Sequence, residues 1–556
     1  MQLFQKCIIA AAVWAVVGPV VAPAQSDDFK AARSLDIFHS TLRELSLFYV
    51  DSVKVDRLVE IGVEAMLESL DPYTVYLPEE ASDDFDIVTT GQYGGVGALI
   101  RKSAGGVEIS EQYEGFPADR AGLVAGDLLI EIDGQSALDM PVDKASTTLR
   151  GIAGTEVALK VVKLRGGDTV ALSVTRERVH ISDVVYAGLV ADSIGYIRVA
   201  SFTKDGSRDF KNAFLSLRKT GRLRQLIIDV RSNGGGLLDE AVNMVGLFVP
   251  YGTEVVTARG RIKLFEATYK TKETPLDTQI PIAVLVNSAS ASAAEILAGA
   301  LQDMDRAVVI GTRTFGKGLV QSVRQLGYNT QLKVTSAKYY IPSGRCIQII
   351  DYSHRNEDGS AGNIPDSLRK AFRTKNGRTV YDGGGITPDV LAEPATYTRT
   401  TYELVARDIP WKYSTRYFAS HPAIAAPDDF HLTDDDYEQF IDYAVGQQFD
   451  GRTATELHLE KLVETLKSEQ LYDDTKDELA ALQAKVNTDK RDKLRRFRPE
   501  LQPLLEEEIV SRYYYTAGRI RAMLRRDTQM NATIELLQHK DTYGALLNAP
   551  AVKGGE

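Results

Sequence analysis

Cysteine is nearly absent from this 556-residue chain, which holds two, Cys7 and Cys346. Cys7 lies in an apolar run, Cys7 to Ala22, that follows Lys6 and is broken by Gly18-Pro19. Ala22-Pro23-Ala24 then offers the small-x-small pattern a signal peptidase accepts, so residues 1–24 are expected to be a signal peptide. The run is shorter than the roughly 20 residues that span a bilayer, and no stop-transfer charges follow it. Cys7 also lacks the small-residue context of a lipoprotein cleavage site. Without the signal peptide Cys346 is alone, which excludes an internal disulfide. Histidine is scarce too: seven residues, scattered, with no H-E-x-x-H or paired spacing, so neither a metal site nor another cofactor is expected. Basic charge is in deficit, 65 Lys+Arg against 76 Asp+Glu, for a net charge of −11. That balance argues against nucleic acid as a partner.

At 556 residues the chain is too long for one core. Residues 27–84 carry apolar residues at helical spacing (Leu35, Phe38, Leu42, Leu45; then Leu58, Ile61, Ala65) and end at the breaker Leu70-Asp71-Pro72-Tyr73. Residues 85–178 read as short apolar strands separated by glycine. Two stretches stand out there, Gly94-Gly95-Val96-Gly97-Ala98 and Gly115–Leu123 with Gly126–Gly134. They resemble the carboxylate-binding loop and the helix-then-strand half of a PDZ domain. Glycines allow successive backbone N–H groups to converge on a terminal carboxylate, and an extended ligand can add beside them as a strand. Gly94, Gly95, Val96 and Gly97 are therefore the expected tail-binding residues.

Residues 184–395 alternate strands and helices, the pattern of an α/β core. The stretch 279–301 is apolar enough to imitate a membrane span, but Asn287, its serines and Glu295 favour strand, turn and helix. Residues 396–556 are charged and helical, and the basic run Lys490 to Arg498 reads as a solvated face.

Chemistry concentrates in the core. Ser292, in Ser290-Ala291-Ser292-Ala293-Ala294-Glu295, stands between a buried strand and a helix. Ser-x-x-Glu before an apolar run is also a helix capping box, and these residues alone weigh the two roles evenly. A serine alcohol needs a base, and no histidine lies in a glycine- or alanine-rich turn of the core. Lys317, in Thr314-Phe315-Gly316-Lys317-Gly318, can serve if it is neutral. With Lys317–Gln321 extended, Gln321 points the same way and can orient the amine. Gly311-x₄-Gly316-Lys317 also imitates a nucleotide-binding loop. Gly318 there replaces the magnesium-ligating hydroxyl, and the next residues read as a strand where that loop demands a helix. Asp229–Gly236 ends in three glycines, and a glycine N–H, assigned to Gly235, with the Ala293 N–H would make an oxyanion hole.

Taken together, Asp229–Gly236, Ser290–Glu295, Thr314–Gln321 and Ile341-Pro342-Ser343-Gly344-Arg345 resemble the carboxyl-terminal processing peptidase (tail-specific protease) family of serine peptidases. Leu70-Asp71-Pro72, the PDZ stretch and Gly384-Gly385-Ile386-Thr387-Pro388-Asp389 fit as well, so the resemblance runs from about residue 35 to 392. It implies Ser292 as nucleophile, Lys317 as base and Gln321 as its partner on a crotonase-like core, within a multidomain α/β protein. Glu295 matches an acidic position of the family, and Gly234 stands where the family usually has proline. The implied function is a cofactor-free serine endopeptidase that captures protein C-terminal tails in its PDZ domain and cleaves upstream. Its location would be exported and periplasmic, with membrane association left open, and an adaptor protein or an oligomer is compatible with it. A non-catalytic PDZ scaffold on the same fold is the alternative, though it would have no use for the serine, lysine and glutamine together.

Overall fold

The structure, a computed structural model, describes residues 27–79, 87, 89–263 and 266–548; the expected signal peptide lies outside them. It divides into two units, one ending at Tyr76 and one beginning at Leu77. In the first, helical spacing yields α1 (Asp27–Phe48) and α2 (Val55–Glu68). Leu35 and Phe38 are exposed on α1, so the apolar spacing shapes the helix without burying its face. Beyond α2 the Asp71 carboxylate accepts the N–H groups of Tyr73 and Thr74 at 2.8 and 2.9 Å, a side-chain turn in place of further helix. Past this breaker Val75–Leu77 is extended.

The second unit opens with a β domain. β1 (Gln92–Gly95) pairs with β7 (Glu177–His180) as a two-stranded antiparallel ribbon. Between them β2 (Ala98–Ser103), β3 (Gly106–Gln112), β4 (Leu128–Ile132), β5 (Glu156–Val162) and β6 (Thr169–Thr175) form an antiparallel sheet in that order. α3 (Pro117–Arg120) and α4 (Val142–Leu149) complete it. On β5, Val157, Leu159 and Val161 are buried while Glu156, Ala158 and Lys160 are exposed, because one face of this sheet meets water.

The α/β core follows. Its six-stranded sheet runs β8 (Val184–Val190), β9 (Ile194–Val199), β10 (Gln225–Asp229), β13 (Ile282–Val286), β14 (Val308–Gly311) and β17 (Val390–Leu391). Only the β8–β9 pair is antiparallel. Every residue of β10 and β13 is buried, as expected of parallel strands covered on both faces. Ile228, Val230, Val284 and Val286 face a core shared with α5 (Gly206–Lys219), α6 (Leu238–Gly246) and α7 (Ala293–Asp303). A second sheet joins β11 (Glu254–Gly260), β12 (Ala267–Lys270), β15 (Leu319–Gln325) and β16 (Gln331–Tyr340), with β16 between β15 and β11. The chain after Lys317 is thus a strand, as expected, and not the helix of a nucleotide-binding loop.

The C-terminal helices include α8 (Ile409–Ser420), α9 (Asp434–Val445), α10 (Arg498–Leu524), α11 (Thr528–Gln538) and α12 (Lys540–Asn548). α8, α9 and α10 share an aromatic-rich core through Tyr413, Phe440, Leu501 and Leu505. α11 and α12 instead cover the second face of the central sheet, where Met530, Leu537 and Tyr543 meet Ile227, Ala283 and Leu285. α10 breaks at Tyr514 and Tyr515, and there the Tyr515 hydroxyl donates to Asp119 of the β domain at 2.8 Å. The basic run is not wholly a solvated face, because Lys493 is buried against Glu456 at 2.6 Å. Among the described residues no helix is long and apolar enough to cross a membrane.

Candidate active site

β13 delivers the chain into a turn at Asn287 that leads to α7. Ser290 fixes its start: its hydroxyl donates to the Val230 carbonyl at 2.7 Å and accepts the Asn287 N–H at 3.0 Å. Ser292 is the N-cap of α7 and is held at φ 55°, ψ −114°, a conformation that costs a residue with a Cβ about 1–3 kcal/mol. Strain of this kind persists where the surroundings over-determine it, and the turn is tied at both ends. The Ala291 N–H donates to the Asn233 carbonyl at 2.9 Å, and the Phe315 N–H to the Ser290 carbonyl at 3.0 Å. Of the capping box the Glu295 half is present, its Oε2 accepting the Ser292 N–H at 2.9 Å.

Glu295 does more than cap. Its side chain is completely buried, and Oε2 accepts the N–H of Ser292 and that of Lys317, each at 2.9 Å. Oε1 accepts the Thr314 hydroxyl at 2.5 Å and the Gly316 N–H at 2.7 Å. One carboxylate thus joins the serine turn to the lysine loop. Burial pushes its pKa up to about 7, opposed by these four donors, which favour the ionised form. A second staple is Tyr339 on β16, whose buried hydroxyl lies 3.2 Å from the Ser292 carbonyl and 2.5 Å from the Lys317 carbonyl. Sequence reading left the role of Glu295 open and missed Tyr339. The only local sign of Tyr339 is its place two residues ahead of Ile341-Pro342-Ser343-Gly344-Arg345. Gly318, where a nucleotide-binding loop has Ser or Thr, is fixed sterically: a Cβ there would lie 2.7 Å from the Gln348 nitrogen.

The glycine loop lies against the serine. A Cβ on Gly235 (φ +99°) would sit 2.8 Å from the Ser292 Cβ and 3.0 Å from the Ala293 nitrogen, so only glycine permits this approach. The Gly235 N–H, expected to serve the oxyanion hole, donates to Asn233 Oδ1 at 2.8 Å, a local side-chain turn invisible in a motif. The Ala293 N–H has no acceptor among the described residues. Ser292, Lys317, Gln321 and Gly234–Gly236 line one cleft of about 510 Å³, with Ile296, Leu319 and Tyr339 in its apolar wall. Gln321 Nε2 reaches Thr335 Oγ1 at 3.3 Å.

The four expected tail-binding residues lie in the β domain. Gly94 and Gly95 pair with Arg178 and Glu177 in the β1–β7 ladder. Gly94 is glycine because a Cβ would lie 2.0 Å from the Gly151 carbonyl. Gly97 turns the chain at φ +76° beneath Phe116. Val96 reaches the groove between β2 and α4, which is lined by Tyr93, Ala98, Ile100, Leu149 and Arg150. Among the described residues no group of three or more His, Cys, Asp or Glu could hold a metal ion.

Residues 193–352 match the model for peptidase family S41, residues 108–163 that for a PDZ domain, and residues 400–537 that for a probable PDZ-protease C-terminal helical domain. The carboxy-terminal-processing protease of Bartonella bacilliformis is 35% identical over 320 residues, 57% of this chain and 72% of that protein. A probable CtpA-like serine protease of Staphylococcus aureus is 33% identical over 316 residues, 56% of this chain; the match spans 62% of that relative, less than two thirds of its length. Among solved structures, the photosystem II D1 C-terminal processing protease is 27% identical, with 64% of this chain and 92% of that one covered at a TM-score of 0.35.

Proposed function

This chain belongs to peptidase family S41, with the carboxy-terminal-processing proteases, and from that premise we propose that it is a serine endopeptidase with Ser292 as nucleophile and Lys317 as general base. The observation that supports the assignment is the shared cleft. Ser292, Lys317 and Gln321 open on the same cavity, and Glu295 and Tyr339 tie the serine turn to the lysine loop. In this reading neutral Lys317 takes the Ser292 hydroxyl proton as the oxygen attacks the scissile carbonyl, and Gln321 orients the amine. The Ala293 N–H meets the developing oxyanion; the second donor comes from the Gly234–Gly236 loop, with Gly235 serving once its N–H leaves Asn233 Oδ1. Collapse of the tetrahedral intermediate breaks the C–N bond, and the Lys317 ammonium returns the proton to the leaving amine. Water then hydrolyses the acyl-enzyme with Lys317 again as base.

The PDZ domain, through the groove beside Val96, captures the C-terminal tail of a protein substrate, so cleavage falls upstream of a free carboxylate. Residues 1–24 direct export, which places the substrates among exported proteins. The test is peptide hydrolysis by purified Ser292→Ala, Lys317→Ala and the double variant. Each single variant is expected to lose turnover and the double to be no worse, because residues that act as a unit are non-additive. Turnover retained by Lys317→Ala would overturn the lysine-base assignment.

A further inference from the structure

The helix that follows the kinked α10 reaches back to the catalytic loop. Asp527 is the N-cap of α11; its Oδ1 accepts the Met530 N–H at 3.0 Å, and its Oδ2 lies 2.7 Å from Arg231 Nη2. Gln529, in the first turn, accepts from Arg231 Nη1 at 2.9 Å and anchors itself by donating to the Ala392 carbonyl at 2.6 Å. On its other side Arg231 is gripped by Asp229. Nε lies 3.0 and 3.1 Å from the two carboxylate oxygens and Nη2 lies 2.6 Å from Oδ2, which also accepts the Tyr196 hydroxyl at 2.7 Å. Arg231, Asp229 and Asp527 are at most 10% exposed.

Asp229 faces two guanidiniums, Arg231 and Arg198, so Asp527 brings this cluster to two carboxylates for two cations, at a cost in desolvation. Beyond charge, Asp527 and Gln529 add direction. A planar fork held on both edges cannot rotate, and the backbone at residue 231 is fixed with it. The next residue, Ser232, is left-handed (φ 59°) and its N–H donates to Asn287 Oδ1 at 2.8 Å. Asn233 and the cleft-lining glycines follow directly.

We propose that Asp527 and Gln529 are positioning residues for the peptidase reaction: from the C-terminal helices they hold Arg231, and through it the Gly234–Gly236 loop beside Ser292. The proposal rests on the reading of that loop as part of the oxyanion site. It gives the C-terminal helical region a part in turnover as well as in covering the sheet.

The experiment uses the full-length protein with Asp527→Asn, which still caps a helix, and Gln529→Met, which preserves volume but accepts no bond from Arg231. Steady-state kinetics on one peptide are measured beside the affinity for its aldehyde, which forms the tetrahedral adduct, and for the matching alcohol, which does not. The expected result is a fall of about ten- to hundredfold in kcat, with KM nearly unchanged. Aldehyde affinity should fall in parallel and alcohol affinity should hold. Arg231→Lys should mask the effect of adding Asp527→Asn. If one helix variant fails to fold, the other carries the test. A kcat within about twofold of wild type, or a loss confined to KM, overturns the proposal. Ser292→Ala is run alongside to separate the claims. Full activity there refutes the nucleophile assignment whatever the helix variants do. An inactive Ser292→Ala with normal kcat in both helix variants refutes the positioning role alone.

Discussion

Glu295→Gln is the sharpest perturbation of the site, because it changes no volume and reverses half of the hydrogen bonding. The native carboxylate is an acceptor at both oxygens, receiving Ser292 and Lys317 N–H on one, and the Thr314 hydroxyl and Gly316 N–H on the other. A glutamine amide accepts at its oxygen only. With the NH₂ towards Ser292 and Lys317 two buried N–H groups lose their acceptor; turned the other way only the Gly316 N–H does, because the Thr314 hydroxyl can rotate and accept. At about 1–3 kcal/mol for each buried group left without a partner, the better orientation loses about 1–3 kcal/mol. If the turn and the loop must be brought back together at every turnover, even the lower figure slows kcat by about fivefold. The assay is kcat and KM on a tail peptide from pH 5 to 9. In wild type the ionised Glu295 that gathers all four donors fills as pH rises through about 7, so activity should climb across that point. The Gln variant should lack that contribution. Linkage gives stability the opposite sign. The folded carboxyl, near 7, lies above its ordinary 4.5, so its contribution is fully present below 4.5 and is lost as pH rises to about 7. Over that window, at about 1.4 kcal/mol per pH unit, it reaches about 3 kcal/mol. A Gln variant with kcat within about twofold of wild type and an unchanged pH profile would refute the role given to Glu295.

Tyr339→Phe removes the hydroxyl shared by the Ser292 and Lys317 carbonyls; urea unfolding should show a loss of about 1 kcal/mol, with kcat reduced and KM unchanged. Gly234 has no heavy atom within 4 Å of a would-be Cβ and no left-handed φ, so Gly234→Ala should raise stability by about 0.4–1 kcal/mol, read by thermal unfolding. Amidating the C-terminus of a substrate peptide should lower kcat/KM sharply while the scissile region is unchanged. Gly97→Trp, forced on Phe116 at a positive φ, should bring the free-acid peptide down towards the amide rate; equal rates for acid and amide in wild type would remove tail selection from the proposed function.

Local information in the sequence was sufficient for the strands and helices of the core. Ile282–Val286 reads as a buried strand, and Ser292 to Gln302 as the helix that follows, because burial on both faces leaves an unbroken apolar run and because Ser-x-x-Glu caps a helix. The asparagine, serines and Glu295 within 279–301 told a strand–turn–helix from a membrane span, because polar and ionisable groups are costly in lipid. The order of the glycine-bearing motifs was likewise legible, since glycine marks places where backbone must approach backbone. Only the tertiary structure decided which groups those motifs serve. The partners of a buried polar group are chosen by proximity in space: Tyr339 lies 47 residues from Ser292, whose carbonyl it bonds, and Asp527 reaches Arg231 from a helix near the C-terminus. Composition could not show that Asn233 holds the Gly235 N–H, or that Gly94 and Gly95 belong to a ladder, because a glycine required by a clash and one required by a turn are spelled alike. Nor could the apolar faces of α11 and α12 name the sheet they cover, since burial of apolar surface is non-directional and any matching face satisfies it.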